Sequence, residues 1–106
     1  MKNDYIAIMV TCPSGAEAKR IVDSLLRKRL VACANVIASV ESRFWWKGKI
    51  DSAREVLVIM KTRPRHFAAI AREVRRLHSY DVPEVVALPI SRGSKDYLGW
   101  IRKTVG

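Results

Sequence analysis

The sequence of 106 residues predicts an α+β domain of the ferredoxin-like class, with the order βαββαβ, an antiparallel four-stranded sheet and a C-terminal helix. Four apolar segments rich in β-branched residues alternate with two segments whose apolar residues repeat at helical spacing. Each of these helical segments lies between two strands, as in a pair of split βαβ units with right-handed crossovers. No linker or low-complexity segment interrupts the chain, so residues 1–106 are expected to form a single domain.

Residues 5–29 contain the first strand and the first helix. The run from Tyr5 to Thr11 is short and mostly apolar, and Pro13 ends it. Ser14 and Glu17 have the spacing of a capping box, which indicates the start of a helix. Apolar residues then recur at 3, 4, 7 and 8 positions, so that one helix face packs on the sheet: Ala18, Ile21, Val22, Leu25 and Leu26.

The rest of the chain, from Val31 onward, supplies the remaining elements. A long strand is predicted from about Val31 to Trp46, a turn at residues 47–49, and a third strand from Glu55 to Lys61. Pro64 indicates the start of a second helix that lasts to about His78. The fourth strand is predicted over residues 85–90, and a short third helix begins at residues 94–96.

This topology predicts which polar and aromatic residues lie near each other. The first two strands point one way and the last two point the other, so the ends of the first pair share an edge with the starts of the second. The turn after the second helix reaches the same edge. The candidate site residues are therefore Cys12, Trp45, Trp46, His78, Tyr80 and Glu84.

Two kinds of binding site fit these residues, and the sequence leaves both open. His78 and Cys12, together with Glu84, offer an imidazole, a thiol and a carboxylate, which suit copper or zinc. Trp45, Trp46, Tyr80 and Glu84 instead have the composition of a small-molecule pocket with aromatic walls and a polar anchor. The structural alternatives are a histidine that ends a helix and tryptophans that seal a subunit interface.

The net charge of +10 raises the question of nucleic-acid binding. RNA-recognition domains share the strand order, but they stack bases on aromatic residues of the central strands. The third strand has no aromatic residue and the first has only Tyr5, so specific recognition of nucleic acid is not expected. Arg65, Arg72 and Arg76 fall on one helix face, which is interpreted as a solvated surface, and non-specific electrostatic binding stays open.

Several other classes are not expected. No nucleophile elbow, Gly-rich phosphate loop or closely paired carboxylates indicate an enzyme. Cys12 and Cys33 form neither a disulfide framework nor a CxxC pair. No signal peptide precedes the first strand and no apolar run has the ~20 residues of a membrane span, so no membrane association and a cytoplasmic location are expected.

Motifs along nearly the whole chain resemble those of the CutA-type divalent-cation tolerance proteins. They are Val10-Thr11-Cys12-Pro13-Ser14, residues 29–36 (RLVACANV), residues 46–50 (WKGKI), Lys61-Thr62, residues 78–84 (HSYDVPE) with 88–90 (LPI), and residues 97–101 (YLGWI). The resemblance implies a ferredoxin-like subunit in a homotrimer in which strands of neighbouring subunits pair edge to edge. It also implies a function in the response to metal ions, with copper or another divalent metal as a ligand.

Copper-binding members of that family use a cysteine on the first strand and two adjacent histidines at the end of the second helix. The matching positions here are Val10, Leu77 and His78, so one imidazole is kept, and Cys12 lies two residues beyond the first position. The family's trimer is also similar to that of the PII signal proteins, which bind small effectors between subunits. The alternative function is therefore a PII-like effector-binding or interaction module without a metal role.

Overall fold

The computed structural model describes residues 4–106. Residues 1–3, which belong to the segment where the sequence predicts no signal peptide, lie outside the described residues. The predicted order of elements is confirmed. The elements are β1 (Ile6–Cys12), α1 (Gly15–Arg27), β2 (Cys33–Trp46), β3 (Lys49–Thr62), a 3₁₀ turn (Pro64–His66), α2 (Phe67–Leu77), β4 (Val85–Pro89) and α3 (Lys95–Val105).

The strands form one antiparallel sheet in the order β2-β3-β1-β4, as the ferredoxin-like class requires. The order places β1 and β3 in the centre and leaves β2 and β4 as the two edges. The α+β fold class is therefore confirmed.

Helices α1 and α2 cover one face of the sheet. Alternate residues of the central strands point at the helices because successive side chains of a strand lie on opposite faces. The fully buried members of this core are Ile8, Val10, Val58 and Met60 from the strands, Ile21 and Leu25 from α1, and Ile70 and Val74 from α2. The third helix packs separately, through Ile101 and Val105, at the end of the sheet where β1 begins.

A buried carboxylate joins α1 to α2. The Glu73 carboxylate accepts hydrogen bonds from the Ser24 hydroxyl and from Lys28 Nζ, the latter at 3.0 Å. Arg76 donates two more, at 2.9 and 2.8 Å. These hydrogen bonds hold the pKa of Glu73 well below its usual range, and those from Arg76 have the largest effect. The helix pair is therefore held together by charge-assisted bonds as well as by apolar packing.

The third strand is longer than predicted. It begins at Lys49 and not at Glu55, and it pairs with β2 up to the contact of Trp46 with Lys49. Residues 50–54 (IDSAR) have low strand propensity, but the ladder along β2 holds them extended. The chain reverses through Lys47 and Gly48, whose positive φ angles of 51° and 78° are those of a two-residue hairpin turn.

The β2–β3 hairpin projects beyond the rest of the sheet. The pairing of β1 with β3 stops at Cys12 and Val56, whereas the hairpin continues to residues 46 and 49. An irregularity between Ile37 and Val40 marks a β-bulge in β2, which increases local twist. The projection makes the molecule 44 Å long and only 26 × 23 Å across. None of the helices within residues 4–106 is long and apolar enough to cross a membrane.

Candidate functional site

A cleft of about 720 Å³ lies between the projecting hairpin and the turn that follows α2. One wall consists of hairpin residues, and the other consists of residues 80–84. The end of β1 contributes Thr11 at the base. Three of the predicted site residues, Trp46, Tyr80 and Glu84, line this cleft together.

The hairpin wall is formed largely by one face of the two paired strands. Phe44 and Trp46 are two residues apart on β2, and Phe44 is paired with Asp51 on β3. Because side chains alternate along a strand, Trp45 lies on the other face. It is 72% exposed and does not line the cleft. The two adjacent tryptophans therefore have different surroundings.

Tyr80 ties the two walls together. Its hydroxyl donates a hydrogen bond of 2.8 Å to Oε2 of Glu55, a buried carboxylate on β3. Burial, followed by this bond to Glu55, raises the pKa of Tyr80 to about 12. The phenol therefore stays protonated at neutral pH and holds the turn against the hairpin.

His78 ends α2 and is buried behind the cleft. Its Nε2 donates a hydrogen bond of 2.7 Å to the main-chain carbonyl of Thr11, because a carbonyl oxygen can only accept. Its Nδ1 accepts the main-chain N–H of Tyr80 at 3.1 Å and lies 3.2 Å from Oε2 of Glu17. Both ring nitrogens thus contact protein groups, and the imidazole links the end of β1 to the turn.

Glu17 completes this connection from the first turn of α1. Its Oε2 accepts both the main-chain N–H of Ser79, at 3.0 Å, and the Ser79 hydroxyl, at 3.1 Å. The start of the turn is therefore bonded to α1 through Glu17, to β1 through His78 and to β3 through Tyr80. Such anchoring pre-organises one wall of the cleft.

Cys12 is fully buried at the end of β1 and does not line the cleft. Burial, with the nearby carboxylates of Glu17 and Glu55, raises the pKa of its thiol to about 11. The thiolate, which is the form that binds metals, is therefore disfavoured at neutral pH.

The two predicted metal ligands do not form a ready site in this arrangement. His78 uses both nitrogens within the protein, and Cys12 is held as a buried thiol. Within residues 4–106, no group of three or more His, Cys, Asp or Glu side chains is arranged to hold a metal ion. The metal role of His78 and Cys12 stays a prediction.

The cleft carries more negative than positive side chains. Among the described residues, four carboxylates line it, from Asp51, Glu55, Asp81 and Glu84, against one guanidinium, that of Arg43. The aromatic rings of Phe44, Trp46 and Tyr80 supply apolar walls. Aromatic faces and carboxylates both favour a cationic ligand, or a ligand with a cationic group.

Sequence reasoning did not select Phe44, Arg43 or Asp51. A signal was present, since Phe44 and Trp46 are two residues apart and therefore share a strand face. The two-residue turn at Lys47 and Gly48 also fixes the register that brings Asp51 opposite Phe44. The prediction failed at the extent of β3, because a loop over residues 50–54 leaves no strand partner for residues 41–45.

Comparison with known proteins identifies the family. The model of the "CutA1 divalent ion tolerance protein" family matches residues 6–104. The chain belongs to this family. The resemblance seen in the sequence motifs is thereby confirmed, and divalent-cation tolerance is the function named for the relatives.

Similar proteins come from archaea, bacteria and plants. The divalent-cation tolerance protein CutA of Archaeoglobus fulgidus is 48% identical over 98 residues, which are 92% of this chain and 95% of that protein. The chloroplastic CutA 1 of Oryza sativa is 40% identical over 93% of this chain but 56% of its own length. The solved CutA1 of Thermus thermophilus superposes with a TM-score of 0.93 at 36% identity, covering 96% of this chain and 99% of that one.

One comparison overturns the prediction of a cytoplasmic location. The structure of the "periplasmic divalent cation tolerance protein CutA" of Archaeoglobus fulgidus has a TM-score of 0.93 at 46% identity, covering 96% of this chain and 99% of that one. The prediction was wrong because it took the residues ahead of the first strand as evidence of compartment. The folded domain itself has the same core and the same surface whichever compartment holds it.

Proposed function

We propose that this member of the CutA1 family acts in divalent-ion tolerance as a homotrimer without catalytic activity, and that its ligand binds in the cleft beside the hairpin. The observation that carries the proposal is the hydrogen bond of Tyr80 to Glu55. It joins the two walls of an acidic, aromatic cleft and keeps the cleft formed in the absence of ligand. A preformed concave site with a few fixed polar groups is the usual form of a ligand pocket.

The open face of the sheet supports assembly. Helices α1 and α2 cover one face, and the other presents apolar side chains of all four strands: Ala7, Met9, Ile37, Leu57, Ile59, Val86 and Leu88. Ile37, Val86 and Leu88 are 42%, 45% and 50% exposed. A contiguous apolar surface on a small domain indicates an interface.

The two edges of the sheet support the same conclusion. The outer edge of β2 is 14 residues long and ends in exposed tryptophans, whereas β4 has five residues. Unpaired strand edges of this kind favour pairing with a further strand. In the proposed trimer each β2 edge pairs with an edge of the next subunit, as the family resemblance implies.

Light scattering after size-exclusion chromatography tests the assembly. Three chains of 12.0 kDa give a particle of about 36 kDa, and the substitution Leu88→Glu on the open face should shift this mass towards the monomer. The control Lys95→Glu, at an exposed position on α3, should leave the mass unchanged. A wild-type protein that elutes with the mass of one chain contradicts the trimer.

The two tryptophans provide a matched test of the cleft. Copper(II), zinc(II) and a panel of small organic cations would be titrated calorimetrically into metal-stripped protein. Trp46→Ala should weaken binding about two- to fivefold, the loss of roughly 0.5–1 kcal/mol expected for a cation–π contact at an exposed ring. Trp45→Ala, on the other strand face, should leave the affinity unchanged. Equal losses in both variants contradict binding in the cleft.

A second candidate is metal binding at His78 and Cys12, which the family resemblance favours. It requires His78 to exchange its bonds to Thr11 and Tyr80 for a metal, and Cys12 to lose its proton. The test is copper(II) titration of His78→Ala, with His66→Ala as control because His66 contacts the Val105 carbonyl at the other end of the molecule. Binding that is lost in His78→Ala but kept in Trp46→Ala supports this candidate against the cleft.

A further inference from the structure

The positive charge of the protein is concentrated on the helices that cover the sheet. Residues 15–29 carry five basic and two acidic residues, and residues 63–77 carry five basic and one acidic residue. In contrast, the turn and strand over residues 78–90 carry only two acidic charges, Asp81 and Glu84, apart from His78. The net charge of +10 is therefore directional, and the cleft lies on the less basic side.

The acidic residues among these helices do not neutralise their surface. Glu17 and Glu73 are buried and bonded within the protein, and Asp23 pairs with Lys19 at 2.6 Å. Lys28 and Arg76 both contact the single carboxylate of Glu73, which leaves one positive charge in excess. The surface that reaches solvent is thus dominated by cations.

Four arginines on this surface have no acidic partner. Arg20, Arg27, Arg72 and Arg75 are exposed, and none of them forms an ion pair with any residue in the range 4–106. Together with Lys28 and Arg76 they make up the basic helical face. Arg72 and Arg75, together with Ala71, also line a small recess of about 150 Å³ on α2. Two guanidinium groups beside a hollow form a suitable place for a phosphate group.

We propose that the basic helical face binds the phosphate backbone of double-stranded nucleic acid without regard to sequence. Guanidinium groups match phosphate geometry with two parallel hydrogen bonds, and displaced counterions add affinity. Single-stranded nucleic acid would need aromatic platforms for its bases. Residues 15–29 and 63–77 contain two aromatic residues. Phe67 packs against the core, and the partly buried His66 contacts the Val105 carbonyl. The surface therefore fits a duplex better than a single strand.

An anionic membrane is the other polyanion to consider. Proteins that lie on membranes usually insert exposed apolar side chains beside their cations. Residues 15–29 and 63–77 are all described by the structure. Within them Leu26, at 39% exposure, is the one exposed large apolar side chain. The basic helical face therefore offers charge without an insertion element, which favours a rigid phosphate surface.

Assembly through the sheet leaves this surface free. The open sheet face and the strand edges lie away from α1 and α2, whose inner sides pack on the core. A trimer would therefore multiply the basic helical face and not bury it. The inference stands whether or not the cleft binds a ligand, because the two surfaces share no residue.

The test uses the 106-residue protein and a fluorescein-labelled duplex of about 20 base pairs. Binding is measured by the fluorescence anisotropy of the duplex between about 50 and 200 mM salt. The variant R20Q/R27Q/R72Q/R75Q removes four unpaired charges from the basic helical face. The control K49Q/R92Q/K95Q/K103Q removes the same number of charges from exposed positions on the hairpin, the loop before α3 and α3 itself. Circular dichroism would verify that both variants are folded.

The expected result is saturable duplex binding that falls steeply with salt. The slope of log affinity against log salt should decrease by about 1 for each phosphate contact removed by the arginine variant. The affinity should fall at least about tenfold in that variant and change much less in the control. A labelled duplex of the same length but a different sequence should bind equally well.

Three outcomes would overturn the proposal. The first is a wild-type protein that does not bind the duplex at about 50 mM salt. The second is an equal loss of affinity in both variants, which would mean that net charge alone is responsible. Tighter binding to vesicles containing phosphatidylserine than to the duplex, lost in the arginine variant, would assign the surface to membranes instead.

Discussion

The two halves of the β2–β3 hairpin differ in how they are held. The half next to β1 pairs with that strand and is covered on one face by α1 and α2, with Val58 and Met60 fully buried. The projecting half has neither neighbour, and Trp45, Trp46 and Ile50 are between 59% and 72% exposed. Both halves have the same ladder of main-chain hydrogen bonds, so the ladder alone does not explain why the strands persist.

The difference separates folding from function. The helix-covered half contributes the apolar burial that stabilises the domain. The projecting half contributes the cleft wall and a sheet edge, which become useful only when a ligand or another copy covers them. The turn at residues 78–84 links the projection to the strand beside the covered half, because His78 bonds to Thr11 of β1 and Tyr80 bonds to Glu55 at the base of the projection.

The largest expected effect belongs to the covered half. Met60→Ala removes a fully buried side chain of β3 between the sheet and the helices. The free energy of unfolding should fall by about 2–5 kcal/mol because of lost burial and the cavity left behind. Urea denaturation followed by circular dichroism measures this. A loss below about 1 kcal/mol would mean that this half is not the main source of stability.

The connection between the halves should have an intermediate effect. Tyr80→Phe removes the donor to Glu55 and leaves a buried carboxylate without this partner. We expect a loss of about 1–3 kcal/mol in the free energy of unfolding. Tyr97→Phe is the matched control, because its hydroxyl contacts Cys33 Sγ at an exposed site. An equal effect in both variants would contradict a special role for the Tyr80 bond.

Alkaline pH should weaken the end of β1, where Cys12 is paired with Val56 of the covered half. The pKa of this thiol is about 11 in the folded protein against a usual 9.0, so the folded state disfavours the thiolate. The stabilisation is complete below pH 9 and is lost as pH rises through 11. Urea midpoints of the wild type and Cys12→Ala between pH 8 and about 10.5 measure this. The midpoint should fall more steeply with pH in the wild type, and parallel curves would contradict the assignment.

The smallest effect is expected at the tip of the hairpin. Ile50→Ala truncates a side chain that is 60% exposed, so the free energy of unfolding should change by less than about 0.5 kcal/mol. The measurement should be repeated over a hundredfold range of protein concentration. A larger loss that depends on concentration would show that another copy covers Ile50, which would strengthen the trimer proposal.

Much of the fold could be predicted from local patterns. The capping serine at position 14 bonds to the Glu17 N–H in the structure, and the apolar spacing of α1 and α2 places their inner faces on the core. The end of the first strand, the two tryptophans and the turn at Tyr80 were also expected at one edge. Alternation and helical spacing are read from neighbouring residues, so they need no knowledge of the rest of the chain.

The candidate site was only partly predictable. Trp46, Tyr80 and Glu84 meet in the cleft as expected, but Trp45 lies on the other strand face. His78 and Cys12 were selected for their chemistry, and the structure places both in protein contacts that no local pattern indicates. Burial and hydrogen-bond partners depend on residues distant in sequence, such as Thr11 for His78.

The sequence by itself determined the element order, the sheet class and the family, because periodicity, turn residues and motif spacing are local properties. Only the tertiary structure decided the length of β3, the face on which each tryptophan lies, and the split between an acidic cleft and a basic helical face. These features arise from pairing and packing between segments that are distant in the sequence, as in the contact of His78 with Thr11, which are 67 residues apart. The free energy of such contacts belongs to the folded chain as a whole and not to any segment of it.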